Sequence, residues 1–405
     1  MSPSSSSSLG ITWVLATISG YGIYGLQIVL QFLRRGGQQV VLTQGPAITT
    51  VPPLVSPKLD SIFELGRKLG QYLHDNPHEI LAFNHAVLHG CSSDFTGFAG
   101  QDHIVGQPNV ACCAIEHLFV TERGKAVAKN YDMFIAISKW NADYLNSLKL
   151  HGPVHLCYQG IDSTLFQPGP RSNLYSERFV IFSGGKFEFR KGQDIVTAAF
   201  KRFHERHPDA LLVTCWQNLL MPNAMAFDLA ALSKGVPQAA PEYGISITPW
   251  LLQQGLPQDS FIDLPFTHNM MMPWVLRECD MAVFPNRCEG GTNLVAMEAM
   301  ACGVPTYVSY NTGQKDLVDL IGCGGFKTQR PVKASPIMNT VQDWGETDVD
   351  EVVEAMEYVY TRRTDAAREA KRVAEKVAAW EWGPLNEKLL QIVCDDRTPD
   401  AGVAA

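Results

Sequence analysis

The chain of 405 residues carries 46% hydrophobic and 18% charged side chains, with a formal net charge of -8. At roughly 150 residues per domain, this length predicts two or three domains with enough core to fold without disulfide or metal crosslinks, and the composition excludes a disordered or fibrous protein. A protein whose main role is nucleic-acid binding is excluded as well, because no basic excess is available to neutralise phosphates.

The first segment, residues 9–33, is uncharged and mostly apolar, and Arg34 and Arg35 follow it. Such a stretch is typical of a membrane anchor or a signal sequence. Its glycines and glutamines favour instead a buried strand at 11–17, a glycine-rich turn and a helix from 23 to 35. We expect the strand and helix, and a peripheral membrane contact through this basic segment is a further expectation.

Three glycines of this segment, Gly20, Gly22 and Gly25, match the pattern G-x-G-x-x-G between a strand and a helix. That pattern brings a backbone turn close to the pyrophosphate of a dinucleotide, and an acidic residue about 20 positions later binds its ribose. Here the first carboxylate of the chain is Asp60, beyond a proline-rich loop. An NAD(P)-dependent oxidoreductase is therefore an alternative, beside a turn that binds another anion and a turn that is purely structural.

Apolar runs alternate with helical patterns along the whole chain, in two series of six predicted strands. The strands lie at 11–17, 39–43, 79–83, 109–115, 132–137 and 154–158, and then at 178–183, 210–215, 260–264, 280–284, 304–308 and 322–326. This alternation predicts an α/β protein with two doubly wound Rossmann-like domains. We place the boundary at residue 165, in a segment rich in turn residues. Ligands of such folds bind beyond the carboxyl ends of the strands, where two facing domains form a central cleft.

A cationic turn follows the first strand of the second series. Lys186, Arg190 and Lys191 surround this turn, which lies between Gly185 and a helix that begins near Gly192. Three cations at the carboxyl end of a strand suit a diphosphate group. The alternative is a cluster of charges that faces the solvent.

Residues 284–305 combine two carboxylates with a glycine-rich helix start. Glu289 follows a predicted strand and Glu298 lies in the second turn of the next helix, with eight residues between them. The residues that would bring backbone N–H groups to the helix N-terminus are Gly290, Gly291, Thr292, Asn293 and Leu294. This arrangement fits a nucleoside diphosphate sugar, with the diphosphate at the N-terminus, the ribose at Glu298 and the sugar at Glu289. An ordinary amphipathic helix with a solvated Glu298 is the alternative.

Two further patterns concern packing and location. The Met- and Ala-rich stretch 217–248, which includes Met221, Met225 and Phe227, is expected to be core, with a lid or a membrane-facing patch as alternatives. The ten cysteines contain no C-x-x-C pair, and several lie in apolar runs. We therefore expect buried free thiols and a cytoplasmic protein.

Several of these segments resemble the family 4 retaining glycosyltransferases of GT-B fold. Glu298–Pro305 is similar to the end of the family's paired-acid motif, and 185–192 resembles its G-R-x-x-x-x-K-G turn, with Lys186 in place of Arg. Residues 159–168 resemble the interdomain segment. The family motif is E-x7-E, whereas this chain has E-x8-E, so that the family spacing counted back from Glu298 falls on Gly290.

The end of the chain is similar to the family as well. Trp380–Trp382 resembles the segment that crosses back to the first domain. The resemblance thus implies an acceptor-side domain formed by 1–165 together with the C-terminal helix 382–405. It implies a donor-binding domain formed by 166–381.

The resemblance implies a role for each matching residue. Lys186 and Lys191 would neutralise the leaving diphosphate, with Arg190 as a helper. Glu298 would bind the nucleotide ribose, and Glu289 would hold the donor sugar. The backbone N–H groups of 290–294, together with Gly20, Gly22 and Gly25, would face the diphosphate.

The family often places a histidine after a strand of the first domain, near the transferred sugar. The predicted strand at 79–83 leads to His85, the first candidate, and to His89, the second. Glu116 and His117 follow the predicted strand at 109–115, and Glu116 is placed near the acceptor. Each of these residues is also compatible with an ordinary polar position at a strand end.

The implied reaction moves a sugar from a UDP- or GDP-sugar to a hydroxyl of a glycan or lipid-linked acceptor, with retained anomeric configuration. In this front-face substitution the leaving phosphate accepts the acceptor's proton, and no metal or other cofactor is expected. Catalysis would depend on stabilising the charge of the departing diphosphate. An NAD(P)-dependent oxidoreductase and a non-catalytic relative that binds nucleotide sugars are the alternatives.

Overall fold

The computed structural model describes residues 7–95, 103–218, 226–240, 244–335 and 338–395. The chain divides into two compact units. Unit 1 is drawn from residues 1–115, 119–160 and 382–405, and unit 2 from 116–118 and 161–381. The division after Gly160 lies a few residues before the predicted boundary at 165, and the short segment Glu116–Leu118 is counted with unit 2.

Unit 1 contains a parallel sheet of six strands. Its elements up to Gly160 are β1 (Ser8–Ile11), α1 (Gly20–Arg34), β2 (Gln39–Leu42), α2 (Ser56–Asp75), β3 (Leu81–Ala82), β4 (Val87–Cys91), β5 (Ile104–Val105), β6 (Asn109–Cys113), α3 (Glu122–Ala128), β7 (Met133–Ala136), α4 (Lys139–Ser147) and β8 (Val154–Leu156). The sheet order is β2-β1-β4-β6-β7-β8. The short strands β3 and β5 pair with each other outside this sheet.

Unit 2 contains a second parallel sheet of six strands. Its elements are β9 (Phe179–Gly184), α5 (Gln193–His204), β10 (Ala210–Cys215), β11 (Gln238–Ala240), β12 (Gly244–Ser246), α6 (Ile247–Gln253), β13 (Phe261–Asp263), α7 (Met272–Leu276), β14 (Met281–Phe284), α8 (Leu294–Ala301), β15 (Thr306–Ser309), β16 (Gly324–Phe326), β17 (Gln329–Pro331), β18 (Gly345–Thr347), α9 (Val349–Thr361) and α10 (Arg363–Val377). The sheet order is β13-β10-β9-β14-β15-β16. The final helix, α11 (Trp382–Leu390), returns to unit 1.

Burial explains why these segments form strands of parallel sheets. All residues of β4, β6, β9 and β14 are buried, as expected where helices cover both faces of a parallel sheet. Short, continuous apolar runs between helical segments are the corresponding sequence signal. The predicted α/β class with two Rossmann-like domains is confirmed.

The start of the chain differs from the prediction. The strand β1 is Ser8–Ile11, whereas the apolar pattern predicts 11–17, and α1 begins at Gly20 rather than near residue 23. Residues 13–17 are largely buried without being a strand, and the Trp13 indole N–H donates to the Tyr21 carbonyl oxygen at 2.9 Å. An apolar run shows that a segment is buried, but it does not distinguish a strand from an irregular buried loop.

The predicted strand at 79–83 is present only in part and is not a strand of the main sheet. Only Leu81–Ala82 is extended there, in the small pair with β5, and β4 at Val87–Cys91 takes the central place in the sheet. His89 and Gly90 interrupt the apolar pattern of β4, so its sequence is a weaker strand signal than the run before it.

Candidate functional site

The strand order of unit 2 reverses beside β9. From β9 the chain moves outward through β10 to β13, then returns to β14 on the other side of β9 and continues to β15 and β16. The loops after β9 and β14 therefore leave the carboxyl edge of the sheet next to each other. Ligands of open α/β sheets bind at such a crevice. The predicted site residues Lys186–Lys191 and Glu289–Asn293 lie in these two loops.

Two glycines with positive φ shape the loop after β9. Gly185 has φ 118° and Gly192 has φ 69°, conformations that favour glycine. A Cβ at residue 192 would lie 2.3 Å from the Pro285 carbonyl oxygen, so glycine lets the two loops approach each other. The Gln193 amide nitrogen donates to the Lys186 carbonyl oxygen at 2.9 Å and fixes the start of the loop.

The loop after β14 is held by the 3-10 turn Thr312–Gln314. The Glu289 N–H donates to Thr312 Oγ1 at 2.8 Å, and the Gly313 N–H donates to the Glu289 carbonyl oxygen at 3.0 Å. A Cβ at Gly313 would lie 2.1 Å from the Gly291 carbonyl oxygen, so these two turns pack backbone against backbone. The main chain of Glu289 is therefore fixed on both sides.

The Glu289 carboxylate lies between two cations at the crevice. Its Oε1 accepts hydrogen bonds from Lys191 Nζ and Asn286 Nδ2, and its Oε2 accepts one from Arg190 Nη1 at 3.0 Å. Burial alone would raise the pKa of this carboxyl, but the charges of Lys191 and Arg190 outweigh burial and lower the pKa below its usual value. Glu289 is therefore a buried, charged carboxylate.

Arg190 joins three carboxylates within unit 2. Besides Glu289, its Nη2 contacts Glu188 Oε1 at 2.6 Å and Glu116 Oε1 at 3.0 Å, and its Nη1 donates to the Cys288 carbonyl oxygen at 3.1 Å. The residue is only 5% exposed. This geometry suits a residue that positions Glu289, whereas the sequence suggests a direct contact with the ligand.

The two lysines of the turn differ in exposure. The Lys186 side chain is 46% exposed, and its Nζ lies 3.8 Å from Glu188 Oε1, a loose ion pair. The Lys191 side chain is only 12% exposed and is paired with Glu289. Burial and the neighbouring Arg190 charge lower the pKa of Lys191, although Glu289 opposes that effect. Lys186 is therefore the more accessible of the two lysines to an anion that approaches from the solvent.

A buried arginine that the sequence does not indicate as a site residue connects the loop after β14 to the loop after β9. Arg287, which is fully buried, donates from Nη1 and Nη2 to the two carboxylate oxygens of Asp194 at 2.9 and 2.7 Å. It also donates to the Phe189 carbonyl oxygen at 2.8 Å and lies over the Phe189 ring at 4.2 Å. Its backbone N–H donates to the Arg190 carbonyl oxygen at 2.7 Å. Arg287 therefore links the loop after β14 to the loop after β9 and, through Asp194, to the start of α5.

Glu298 lies inside α8, one turn beyond Leu294. It is 4% exposed, and among the described residues its carboxylate accepts a hydrogen bond from the side-chain amide nitrogen of Asn269. Burial raises the pKa of this carboxyl to about 8, although the Asn269 hydrogen bond opposes the shift. Glu298 is not a solvated residue on an amphipathic helix, so that alternative is wrong.

Asn293 forms the helix start between the two acids. It has φ 75°, and its side-chain oxygen accepts the Ala296 N–H at 3.4 Å. Its Nδ2 is buried and has no hydrogen-bond partner among the described residues. Buried polar atoms normally have a hydrogen-bond partner, so a polar ligand at this helix N-terminus would satisfy an atom that the described part of the chain leaves unsatisfied.

The three glycines of the first segment lie within α1 rather than in a turn before it. The cap is Ser19, whose Oγ accepts the Gly22 N–H at 3.2 Å. A Cβ at Gly22 would lie 2.5 Å from the Ala16 backbone nitrogen, and one at Gly25 would lie 2.6 Å from the Trp13 indole nitrogen. Gly22 and Gly25 thus allow close packing of α1 in unit 1, while Gly20 is exposed.

The histidine candidates of unit 1 do not follow a strand of the main sheet. His85 precedes β4, and its buried Nε2 has no hydrogen-bond partner in the part of the chain that the structure describes. Burial lowers its pKa. His89 lies within β4, where its Nε2 is 2.6 Å from Asn109 Oδ1 and burial lowers its pKa to about 4. A strand does end just before His85, but it is the short β3, which pairs with β5 outside the main sheet.

Glu116 and His117 belong to unit 2. The carboxylate of Glu116 contacts Arg190, and its carbonyl oxygen accepts the Trp344 indole N–H at 2.7 Å. His117 Nδ1 lies 2.9 Å from Thr340 Oγ1, and its ring is 5.1 Å from that of Trp344. These contacts dock the segment beside the charged cluster.

Other expectations concern packing. All ten cysteines are free, and all but Cys215 are buried, as predicted. In the stretch 217–248, Met221 and Met225 lie outside the described residues, while Phe227 is fully buried against Phe187 and Trp250, which confirms core for that residue. Among the described residues, no helix is long and apolar enough to span a membrane, and no group of three or more His, Cys, Asp or Glu side chains is arranged to hold a metal ion.

A family model matches part of the chain. Residues 265–389 match the model of a family described as family 4 glycosyltransferases in conflict systems. That range includes the loop after β14 and all of α8. No curated protein matches the chain in sequence.

Several solved structures share the fold. Sucrose-phosphate synthase from Thermosynechococcus elongatus is 15% identical with a TM-score of 0.62, and the match covers 95% of this chain and 98% of that one. Anabaena HepE, solved with UDP and glucose, is 13% identical over the same shares with a TM-score of 0.62. An E. coli trehalose-6-phosphate enzyme bound to UDP-2-fluoro glucose is 11% identical over the same shares, with a TM-score of 0.61. The fold is therefore GT-B, and the matches together support a glycosyltransferase.

Proposed function

We propose that this protein is a retaining glycosyltransferase that moves a sugar from a nucleoside diphosphate sugar to a hydroxyl acceptor, without a metal ion. The observation that carries the proposal is the meeting of Lys191 and Glu289 at the crevice between β9 and β14. One loop supplies the cations that a diphosphate requires, and the other supplies a carboxylate that accepts hydrogen bonds from sugar hydroxyls.

In this proposal each residue of the site has a role that its position supports. Lys186 and Lys191 would stabilise the negative charge that develops on the departing diphosphate. Glu298, deeper in α8, would accept hydrogen bonds from the ribose, and the backbone N–H groups of 290–294 would meet a phosphate at the helix N-terminus. Gly20 and His85, in unit 1, are proposed contacts to the diphosphate and to the transferred sugar.

The donor in this proposal is a UDP- or GDP-sugar, and the acceptor is a glycan or a lipid-linked molecule. The structures of HepE and of the E. coli trehalose-6-phosphate enzyme were solved with UDP or a UDP-sugar, which supports a uridine donor. The mechanism is a front-face substitution in which the departing phosphate takes the acceptor's proton. Glu289 then binds the sugar and is not a nucleophile. We further propose a cytoplasmic protein with peripheral membrane contact.

A binding and turnover experiment tests the proposal. The purified protein is titrated calorimetrically with UDP, GDP, ADP and NAD, and is then incubated with the corresponding glucose donors in the presence of EDTA. We expect one nucleoside diphosphate to bind in wild type and at least tenfold more weakly in Glu298→Ala. We also expect its release from the sugar donor despite EDTA, and a product of retained configuration by NMR.

Three results would count against parts of the proposal. Binding of NAD alone would favour the oxidoreductase, and nucleotide binding without turnover with any acceptor would favour a non-catalytic relative. Loss of turnover in EDTA, restored by a divalent cation, would contradict metal independence. The control is Glu354→Gln, an exposed carboxylate on α9, which should bind and react as wild type.

A further inference from the structure

The charged cluster at the crevice is balanced by the chain's own residues. It contains three cations, Lys186, Arg190 and Lys191, and three carboxylates, from Glu116, Glu188 and Glu289. If the cluster kept its present ion pairs, a bound diphosphate would add negative charge beside cations that are already paired with carboxylates. Because the cluster is largely buried, such a charge would be weakly screened and costly.

Glu289 is bound in the cluster as an external anion would be. Its two oxygens accept hydrogen bonds from a lysine, an arginine and an amide, the groups of Lys191, Arg190 and Asn286. These donor types, converging from two loops, are those that recognise phosphate oxygens. The carboxylate is thus paired with Lys191, the lysine that the proposed function assigns to the diphosphate.

The main chain of Glu289 is anchored independently of its side chain. Its N–H and C=O are bound by Thr312 Oγ1 and by the Gly313 N–H. The side chain can therefore leave Lys191 by rotation about its own bonds, while Gly290–Asn293 stay in place.

We propose that the Glu289 carboxylate is an internal anion that holds Lys191 in the ligand-free protein, and that the donor's diphosphate displaces it. This inference rests on the proposed function and deepens it. On donor binding, Lys191 passes from the carboxylate to the diphosphate, and the released carboxylate turns to the hydroxyls of the sugar. After transfer the sugar is gone, the carboxylate returns to Lys191, and the nucleoside diphosphate is expelled.

The exchange predicts an unusual change in anion affinity when Glu289 is replaced. A residue that only binds sugar would leave the affinity for a sugar-free anion unchanged when it is replaced. A residue that competes for Lys191 would raise that affinity when it is replaced. Glu289→Gln should therefore bind UDP and inorganic pyrophosphate about tenfold more tightly than wild type, although its sugar transfer is impaired.

The experiment is calorimetric titration of UDP and pyrophosphate into wild type, Glu289→Gln, Lys191→Met and the double variant. The increase in affinity caused by Glu289→Gln should vanish in the Lys191→Met background, because the carboxylate and the ligand compete for that lysine. Glu354→Gln removes the same formal charge at an exposed site of α9 and should show no gain. If Glu289→Gln does not fold, Glu289→Asp, whose carboxylate is held further from Lys191, should show a smaller gain.

The outcomes separate this inference from the proposed function. UDP binding that is equal or weaker in the folded Glu289 variants overturns the exchange and leaves the transferase supported. A gain for pyrophosphate in a protein that binds no nucleotide upholds the exchange and overturns the transferase. An increase in anion affinity that persists in the Lys191→Met background overturns the exchange, since the Glu289 carboxylate would then act only by electrostatic repulsion of the anion.

Discussion

Glu298 is a carboxyl group that the fold keeps away from water, with Asn269 donating to it. Burial raises its pKa to about 8 from a usual value of 4.5. A carboxyl whose pKa is higher in the folded than in the unfolded chain takes up a proton on folding. The free energy of unfolding must then fall as the pH rises between those two values, and it loses nothing more from this group above them.

Replacing Glu298 by Gln should remove that pH dependence. Urea unfolding at about pH 5 and about pH 8 should show the stability of Glu298→Gln relative to wild type increasing with pH, because only wild type must ionise a buried carboxyl. The matched control is Glu354→Gln, an exposed carboxyl whose difference from wild type should be the same at both pH values. A constant difference for Glu298→Gln would mean that Glu298 already ionises in the folded protein near its usual pKa.

Lys186 is the cation that we expect to contribute to binding without contributing to stability. Its side chain is 46% exposed and only loosely paired with Glu188, and exposed ion pairs stabilise folded proteins little. Lys186→Met should weaken UDP binding about tenfold and leave the urea midpoint unchanged. Lys201→Met, an exposed lysine on α5, should change neither. A large loss of stability in Lys186→Met would show that this lysine braces the loop.

At the scale of elements, the loop after β14 depends on a third segment, the turn Thr312–Gln314. Gly313 fits there because its missing side chain leaves room for the Gly291 carbonyl oxygen, 2.1 Å from where a Cβ would lie. The backbone of the turn after β14 therefore rests directly on this glycine.

Gly313→Ala should push that turn out of place. We expect a loss of stability of about 1–3 kcal/mol, typical of overpacking, and a larger loss of UDP affinity than the exposed Lys186 variant shows. The measurements are urea unfolding and calorimetric titration. Gly383→Ala is the matched control, because a Cβ at Gly383 would come no closer than 3.7 Å to Gln31 Oε1. Normal UDP binding in Gly313→Ala would mean that the position of this turn is unimportant for the site.

The site elements differ in how far the sequence predicts them. The loops after β9 and β14 are predictable because a buried strand, glycines, charged residues and a helix start follow one another locally. The ion pair of Arg287 with Asp194 is not, because Arg287 lies in the loop after β14 and Asp194 lies at the start of α5, and the two meet only in the folded unit. The partners of Arg190 and Glu289 cannot be predicted from the sequence for the same reason, although both residues are predicted to belong to the site. The strand before His85 is predicted for the main sheet because the apolar run at 79–83 is a better strand pattern than β4, which takes that place in the structure.

At the scale of the whole molecule, the nucleotide contacts predicted most firmly are confined to unit 2. Lys186, Lys191, Glu289 and Glu298 all lie within 161–381, around one sheet with its own buried core. Binding to the folded form of a unit stabilises it by mass action, by about 2.7 kcal/mol when the ligand is at a hundred times its Kd. The ligand should therefore protect the sheet of unit 2 before any other part of the chain.

Hydrogen exchange with and without saturating UDP measures this distribution. We expect the amides of β9 and β14, and those of the first turn of α8, to exchange more slowly in the presence of UDP, with a smaller change in β4 and β6 of unit 1. In Glu298→Ala at the same UDP concentration, the effect on unit 2 should shrink in proportion to the loss of affinity. Slower exchange centred on α1, around Gly20, would instead place the nucleotide on unit 1 and restore the oxidoreductase as the better explanation of the chain.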